Sequence, residues 1–317
     1  MLNLVTNKID NCLNDINSLY DVLQDYILRN IDFHKVEPIL PIWIIEGGRT
    51  PDCRIDKNQY EKLRNQYNHP TINRIIYWYD IQILVASLFD RIESVKYLLN
   101  DLFHIISSHD LSNQSANPSV EMSSAAVLAN NLANGIIIAL ASAIDYFSKI
   151  SYEITHFYEY NFLSYKRMNS QKVFYDKNLF VFKELSDSDL LFSEPDSIKL
   201  LLSLRSEYLH CGGWSHRYAI YKSSEDDSSR YLLLPDIDRQ GLIVSSGSRS
   251  QFFSQNKTVN KELPMLINNV ISILDKTIVV FHDKCLNEPK QQNLREENTR
   301  NLISFLAKQN NRHNILK

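Results

Sequence analysis

Near the middle of the chain runs Leu204-Arg205-Ser206-Glu207-Tyr208-Leu209-His210-Cys211-Gly212-Gly213-Trp214, where an arginine and a histidine stand at the end of an apolar segment. A histidine takes or gives a proton near neutral pH. An arginine stays charged and offers a planar fork of donors that fits a phosphate. An RNA phosphodiester carries its own nucleophile in the adjacent 2′-hydroxyl, so these two groups suffice in principle to cut it without a metal. Arg205 and His210 are the candidate catalytic residues, with His210 as acid/base and Arg205 stabilising the phosphate. Tyr208, Trp214 and Tyr218 are candidates for stacking on bases, with packing in the core or at an interface as the alternative for each.

The residues around Arg205 suggest how it is held. Ile198, Leu202, Arg205 and Leu209 follow steps of 4, 3 and 4, which puts Arg205 on the apolar stripe of its own helix. A guanidinium there needs a partner, because an unpaired buried charge is costly. Asp145 is the candidate, at the head of a second stripe with Lys149, Tyr152 and His156. A purely structural ion pair between two helices is the competing reading. His210 diverges from Arg205 by about 140° at 100° per residue. One pocket can use both only if the helix end unwinds at Gly212-Gly213 or a second copy completes the site.

The elements that must position these groups are legible as periodicity. Residues 1–31 form an amphipathic helix carrying Leu13, Ile16, Leu19, Leu23 and Ile27. The stretch from Val36 to Gly48 holds two prolines and reads as irregular, and a short helix follows from about Asn58 to Tyr67. A long helix runs from Thr71 to about Ser107, with Ile92, Val95, Leu99, Leu102 and Ile106 forming the seam for an antiparallel partner. After a polar connector, the partner spans about Met122 to Tyr158, its centre rich in small residues that allow close approach. Residues 161–190 read as irregular. Ser193 caps the next helix, with Pro195 in its first turn and Asp196 at its third position. Three short β runs, 217–222, 231–234 and 242–245, then form a meander, and a last core helix covers 259–286. The expected fold class is mainly α, an antiparallel helical bundle with a small inserted β-meander. The expected division is an N-terminal helical extension packed on the core (1–68), a central domain (69–288, meander at about 217–246) and a C-terminal helix and tail (289–317).

Composition bounds the function. The 317 residues are 44% hydrophobic and 22% charged, with only 7 Gly and 9 Pro, which suits a globular protein of long helices. A net charge of −3 provides no global attraction to nucleic acid, so any RNA contact is local. The 4 cysteines are scattered and read as free thiols of a cytoplasmic protein. The N-terminus lacks a signal-peptide pattern, and the apolar run from Gly135 to Ile144 is about half a membrane span, so no membrane association is expected. There is no P-loop, HExxH, GxSxG or GxGxxG, and no metal or cofactor is expected.

Arg205 to Gly212 resembles the Arg-x4–6-His motif of the HEPN superfamily, and the layout of a long helical hairpin, a motif-bearing helix and a closing helix is similar over roughly residues 71–286. The resemblance implies a helical bundle acting as a metal-independent endoribonuclease. Its site would form between two copies, its products would carry a 2′,3′-cyclic phosphate and a 5′-hydroxyl, and it would serve a toxin–antitoxin or anti-phage defence system. Partners implied are an RNA substrate, a second copy of the chain and an antitoxin or defence-complex protein. Ser206, in the polar position after the arginine, Asp145 and Tyr208 are supporting candidates. A non-catalytic HEPN-like binding or oligomerisation module is the alternative. The same spacing recurs at Arg29/His34 and Arg64/His69, but only Arg205/His210 closes an apolar helix that ends in glycines.

Overall fold

The fold is built on one helical hairpin. In the computed structural model, which describes residues 2–48, 50–108, 120–156, 182–210, 218–222, 230–247, 249, 252–287 and 294–315, helix α5 (Pro70–Ser108) runs antiparallel to α6 (Ser124–His156). Two contacts fix their register. The Tyr77 hydroxyl donates to the Glu153 carboxylate (3.0 Å) and to the Glu153 carbonyl (2.8 Å), and a Cβ at Gly135 would stand 3.3 Å from Leu98 Cδ1. The expected seam residues Ile92, Val95, Leu99, Leu102 and Ile106 are all buried, as are Ala129, Ala133, Ala139, Ala141 and Ala143 opposite. Small residues on α6 therefore let large ones on α5 reach its backbone.

Around this pair the remaining helices add layers. Helix α1 (Leu2–Ile27) buries Leu13, Ile16, Leu19, Leu23 and Ile27 and packs antiparallel on α5, with Lys96 paired to Asp10 at 2.7 Å and Gln82 donating to the Tyr20 hydroxyl. Short helices α2 (Phe33–Val36) and α3 (Ile42–Glu46) occupy the proline-containing stretch, and α4 (Lys57–Gln66) starts at a capping box between Asp56 and Gln59. Helix α7 (Asp196–His210) carries the motif. Helix α8 (Val259–Leu286) packs on α1, α6 and α7, its Phe281 set edge-on to Phe147 of α6 at 5.7 Å. Helix α9 (Arg295–Ile315) closes the end of the molecule where Thr299 accepts from the Asp32 amide. One hydrophobic cluster runs through α1, α5, α6, α7 and α8. By length and composition alone, α6 and α8 would each be long and apolar enough to cross a membrane.

The structure corrects three local expectations. The small sheet has the order β1 (Val120–Glu121), β2 (Ile220–Lys222), β3 (Arg230–Tyr231), all antiparallel, so one of its edge strands, β1, precedes α6. The run 242–245 is no strand of it. Asp238 accepts from the Gln240 and Leu242 amides, Gly241 adopts φ 78°, and the chain turns back to a single bridge between Ile237 and Ile243. Ser193 does not cap α7 either. It closes a separate turn by donating to the Leu190 carbonyl (2.7 Å), and left-handed Glu194 (φ 56°) interrupts the chain before Asp196 begins the helix. The Pro195 carbonyl takes the cap position, accepting from Ile198 and Lys199. Most of the irregular stretch expected at 161–190 lies outside the described residues.

The third correction concerns the face of α7. Its buried residues are Ile198, Leu201, Leu204 and Glu207, and Leu209 is 49% exposed, so the expected stripe of Ile198, Leu202, Arg205 and Leu209 is the edge of the buried face. At 100° per residue Arg205 lies about 70° from the middle of the buried arc. Full burial of a guanidinium would cost several kcal/mol, so a roll that leaves it at the boundary is the cheaper packing.

Two outcomes follow from this packing. Leu102→Ala is expected to lower stability by about 2–5 kcal/mol, while Tyr97→Ala, at a side chain 59% exposed on the same helix, is expected to stay within about 0.5 kcal/mol; urea unfolding distinguishes them. At the α1–α8 interface, burial first, then the hydrogen bond and repulsion from Asp15, push the Asp275 carboxyl up to about 6, with Lys8 opposing. The folded state thus binds this proton more tightly than the unfolded chain. Its contribution is intact below about pH 4, declines as pH rises and is lost above about pH 6. Asp275→Asn is expected to raise Tm over the wild type at pH 8, with the difference gone at pH 4, in paired thermal melts.

Candidate functional site

Arg205 reaches across from α7 to α6. Its Nη2 lies 3.2 Å from Asp145 Oδ2, with the two side chains 33% and 24% exposed. The expected pairing of these residues is therefore present, at the boundary between core and solvent. An arginine has five N–H donors. Among the described residues no other protein acceptor takes one from Arg205, whose side chain is one-third exposed.

The remaining site residues are arranged unevenly. His210 is the last residue of α7, exposed, with no partner among the described residues. It stands about 7.5 Å further along the helix axis than Arg205 and about 140° around it. One copy of α7 thus does not aim both groups into one pocket. Ser206 is exposed and Tyr208 half-buried, neither with a side-chain hydrogen bond among the described residues. Tyr218 is half-buried just before β2, and Trp214, Cys211, Gly212 and Gly213 lie outside the described residues. Glu207, which sequence reading passed over, is buried at 7% exposure and has a partner.

Of the other two arginine–histidine pairs, His34 is exposed like His210, Arg29 and Arg64 are half-buried, and only His69 is taken up in packing. The Arg29 guanidinium sits over the Tyr26 ring at 5.5 Å. His69 accepts from the Thr71 amide (3.2 Å), stacks obliquely on Phe305 of α9 at 5.2 Å, and burial holds its pKa below the ordinary histidine value. A ring fixed in this way at the foot of α5 is poorly placed to exchange protons with a ligand.

Along α6 runs a half-exposed stripe of Asp145, Tyr146, Lys149 and Tyr152. Lys149 Nζ lies 5.9 Å from the centre of the Tyr146 ring. The side chain of His156, the last member of the expected polar stripe, lies outside the described ones. Among the described residues no three His, Cys, Asp or Glu side chains converge as metal ligands. A separate open groove of about 440 Å³ lies between α1 and α5, lined by Ile16, Tyr20, Gln82, Val85, Phe89 and Asp90, with no residue of α6 or α7 in its walls.

No family model matches the chain, and neither a curated protein nor a solved structure matches it.

A double-mutant cycle with Arg205→Met and Asp145→Asn is expected to give a coupling of about 1 kcal/mol in urea unfolding, because the pair is half-buried.

Proposed function

We propose that this chain is a HEPN-type, metal-independent endoribonuclease that works as a homodimer, in a cytoplasmic toxin–antitoxin or anti-phage defence setting. The observation that carries the reading is the half-exposed Arg205, held among the described residues by one carboxylate, on the same helix as an exposed His210 without a partner among them. The mainly helical bundle, with its long antiparallel hairpin, motif helix and closing helix, is what the HEPN resemblance implies, and it supports the reading at the level of fold.

The chemistry follows from the two side chains. The RNA 2′-hydroxyl attacks the adjacent phosphorus, and the bond to the 5′-oxygen of the next nucleotide breaks. His210 takes the 2′ proton while water protonates the leaving 5′-oxygen, or it protonates that oxygen while water takes the 2′ proton. Arg205 binds the non-bridging oxygens as negative charge accumulates on them. Asp145 orients Arg205 and leaves most of its donors free. Because His210 points about 140° away from Arg205, each site combines Arg205 of one copy with His210 of the other.

The Arg205–Asp145 contact also favours a second reading, a HEPN-like module without catalysis in which the pair holds α7 in register on α6. Purified protein incubated with total RNA in EDTA separates the two. Wild type is expected to release fragments ending in a 2′,3′-cyclic phosphate. Arg205→Ala and His210→Ala, checked for retained fold by circular dichroism, are expected to lose at least about 100-fold in rate. Intact RNA after incubation with dimeric wild type supports the non-catalytic module.

A further inference from the structure

Lys149 stands on the same face of α6 as Asp145, the partner of Arg205. It lies one turn beyond Asp145 on α6, about 6 Å along the axis. Two carboxylates stand within a turn of it, and both are engaged elsewhere: Asp145 pairs with Arg205, and Glu153 is buried and accepts from Tyr77 of α5. Among the described residues no carboxylate pairs with Lys149, and its ammonium lies 5.9 Å from the centre of the Tyr146 ring. Its ammonium is therefore left to water or to an incoming anion.

We infer that Lys149 is a positioning residue that holds an RNA backbone phosphate next to the one bound by Arg205, with Tyr146 fixing its ammonium. This inference rests on the ribonuclease reading and specifies how the same site holds its substrate in a protein of net negative charge. Lys149 takes no part in bond breaking. Its contribution is to the affinity for the chain flanking the scissile phosphate, and it acts equally in the ground and transition states.

The test compares wild type, Lys149→Gln and Lys149→Arg as full-length proteins. A fluorescein-labelled single-stranded RNA carrying 2′-O-methyl groups, which lacks the attacking hydroxyl, reports binding in EDTA across a salt series. Unmodified RNA reports KM and kcat. Lys149→Gln is expected to bind about tenfold more weakly. Its log-affinity against log-salt slope is expected to be shallower by about 0.7, the value for one lost phosphate contact to a single strand. KM should rise with kcat unchanged, and Lys149→Arg should restore both binding and slope. Wild-type cleavage with the same slope and KM in Lys149→Gln overturns the assignment of Lys149 and leaves the ribonuclease reading standing. Absence of RNA binding and cleavage by the wild type overturns that reading and the assignment with it.

Discussion

The close approach of α5 and α6 is the constraint on which the rest of the molecule depends. Alanines and Gly135 on α6 bring the two axes near enough for Leu98 to rest against the glycine backbone, and Tyr77 locks the far end by donating to Glu153. Each other core helix takes its place from this pair. Helix α1 lies on the open side of α5, α8 fills the angle between α1 and α6, and α7 settles against α6 and α8. The level at which Asp145 meets Arg205 is therefore set by packing far from the site. A change at the seam would move the guanidinium as well as lower stability.

The site is best understood as a compromise between burial and access. A fully buried arginine would need every donor satisfied within the protein, leaving nothing for a ligand. A fully exposed one would be mobile and screened. Helix α7 is rolled so that Arg205 sits at the rim, one-third exposed, where its contact with Asp145 orients it. The segment after β3 supports this roll. Gly241 lies against Asp196 with 3.2 Å between its would-be Cβ and the carbonyl, and the Ile243 amide donates to Ser203 Oγ, so both contacts hold the N-terminal part of α7. Asp236 secures that segment in turn. Burial alone would raise its pKa, but hydrogen bonds from Ser254 and the Gln255 amide hold it below the ordinary carboxylate range.

Much of the bundle was readable from spacing. Leu13, Ile16, Leu19, Leu23 and Ile27 admit only one face of α1, and Ile92 to Ile106 only one face of α5. Helix α7 was ambiguous because Lys199-Leu200-Leu201-Leu202-Ser203-Leu204 has leucines on adjacent faces. Steps of three and four fit both Ile198-Leu202-Arg205-Leu209 and Ile198-Leu201-Leu204, and only the neighbours α6 and α8 select between them. The short strand at Val120–Glu121 carried no periodicity, since two residues cannot. Asp145 was legible as a partner because it stood among polar residues at helical steps in an otherwise apolar helix. The unusual position of Lys149 was not. It emerges only once Asp145 is known to face Arg205 and Glu153 to face Tyr77, and both are contacts between helices distant in sequence.

The shared site is tested most directly by mixing subunits. Arg205→Ala and His210→Ala proteins, each inactive alone, are unfolded together, refolded and assayed on RNA in EDTA. In a mixed dimer one site holds both substitutions and the other holds neither. Half the dimers are mixed and each has one intact site, so the expected result is recovery of about a quarter of wild-type activity. A mixture of confirmed mixed dimers that remains as inactive as its parents would contradict a site built from Arg205 of one copy and His210 of the other.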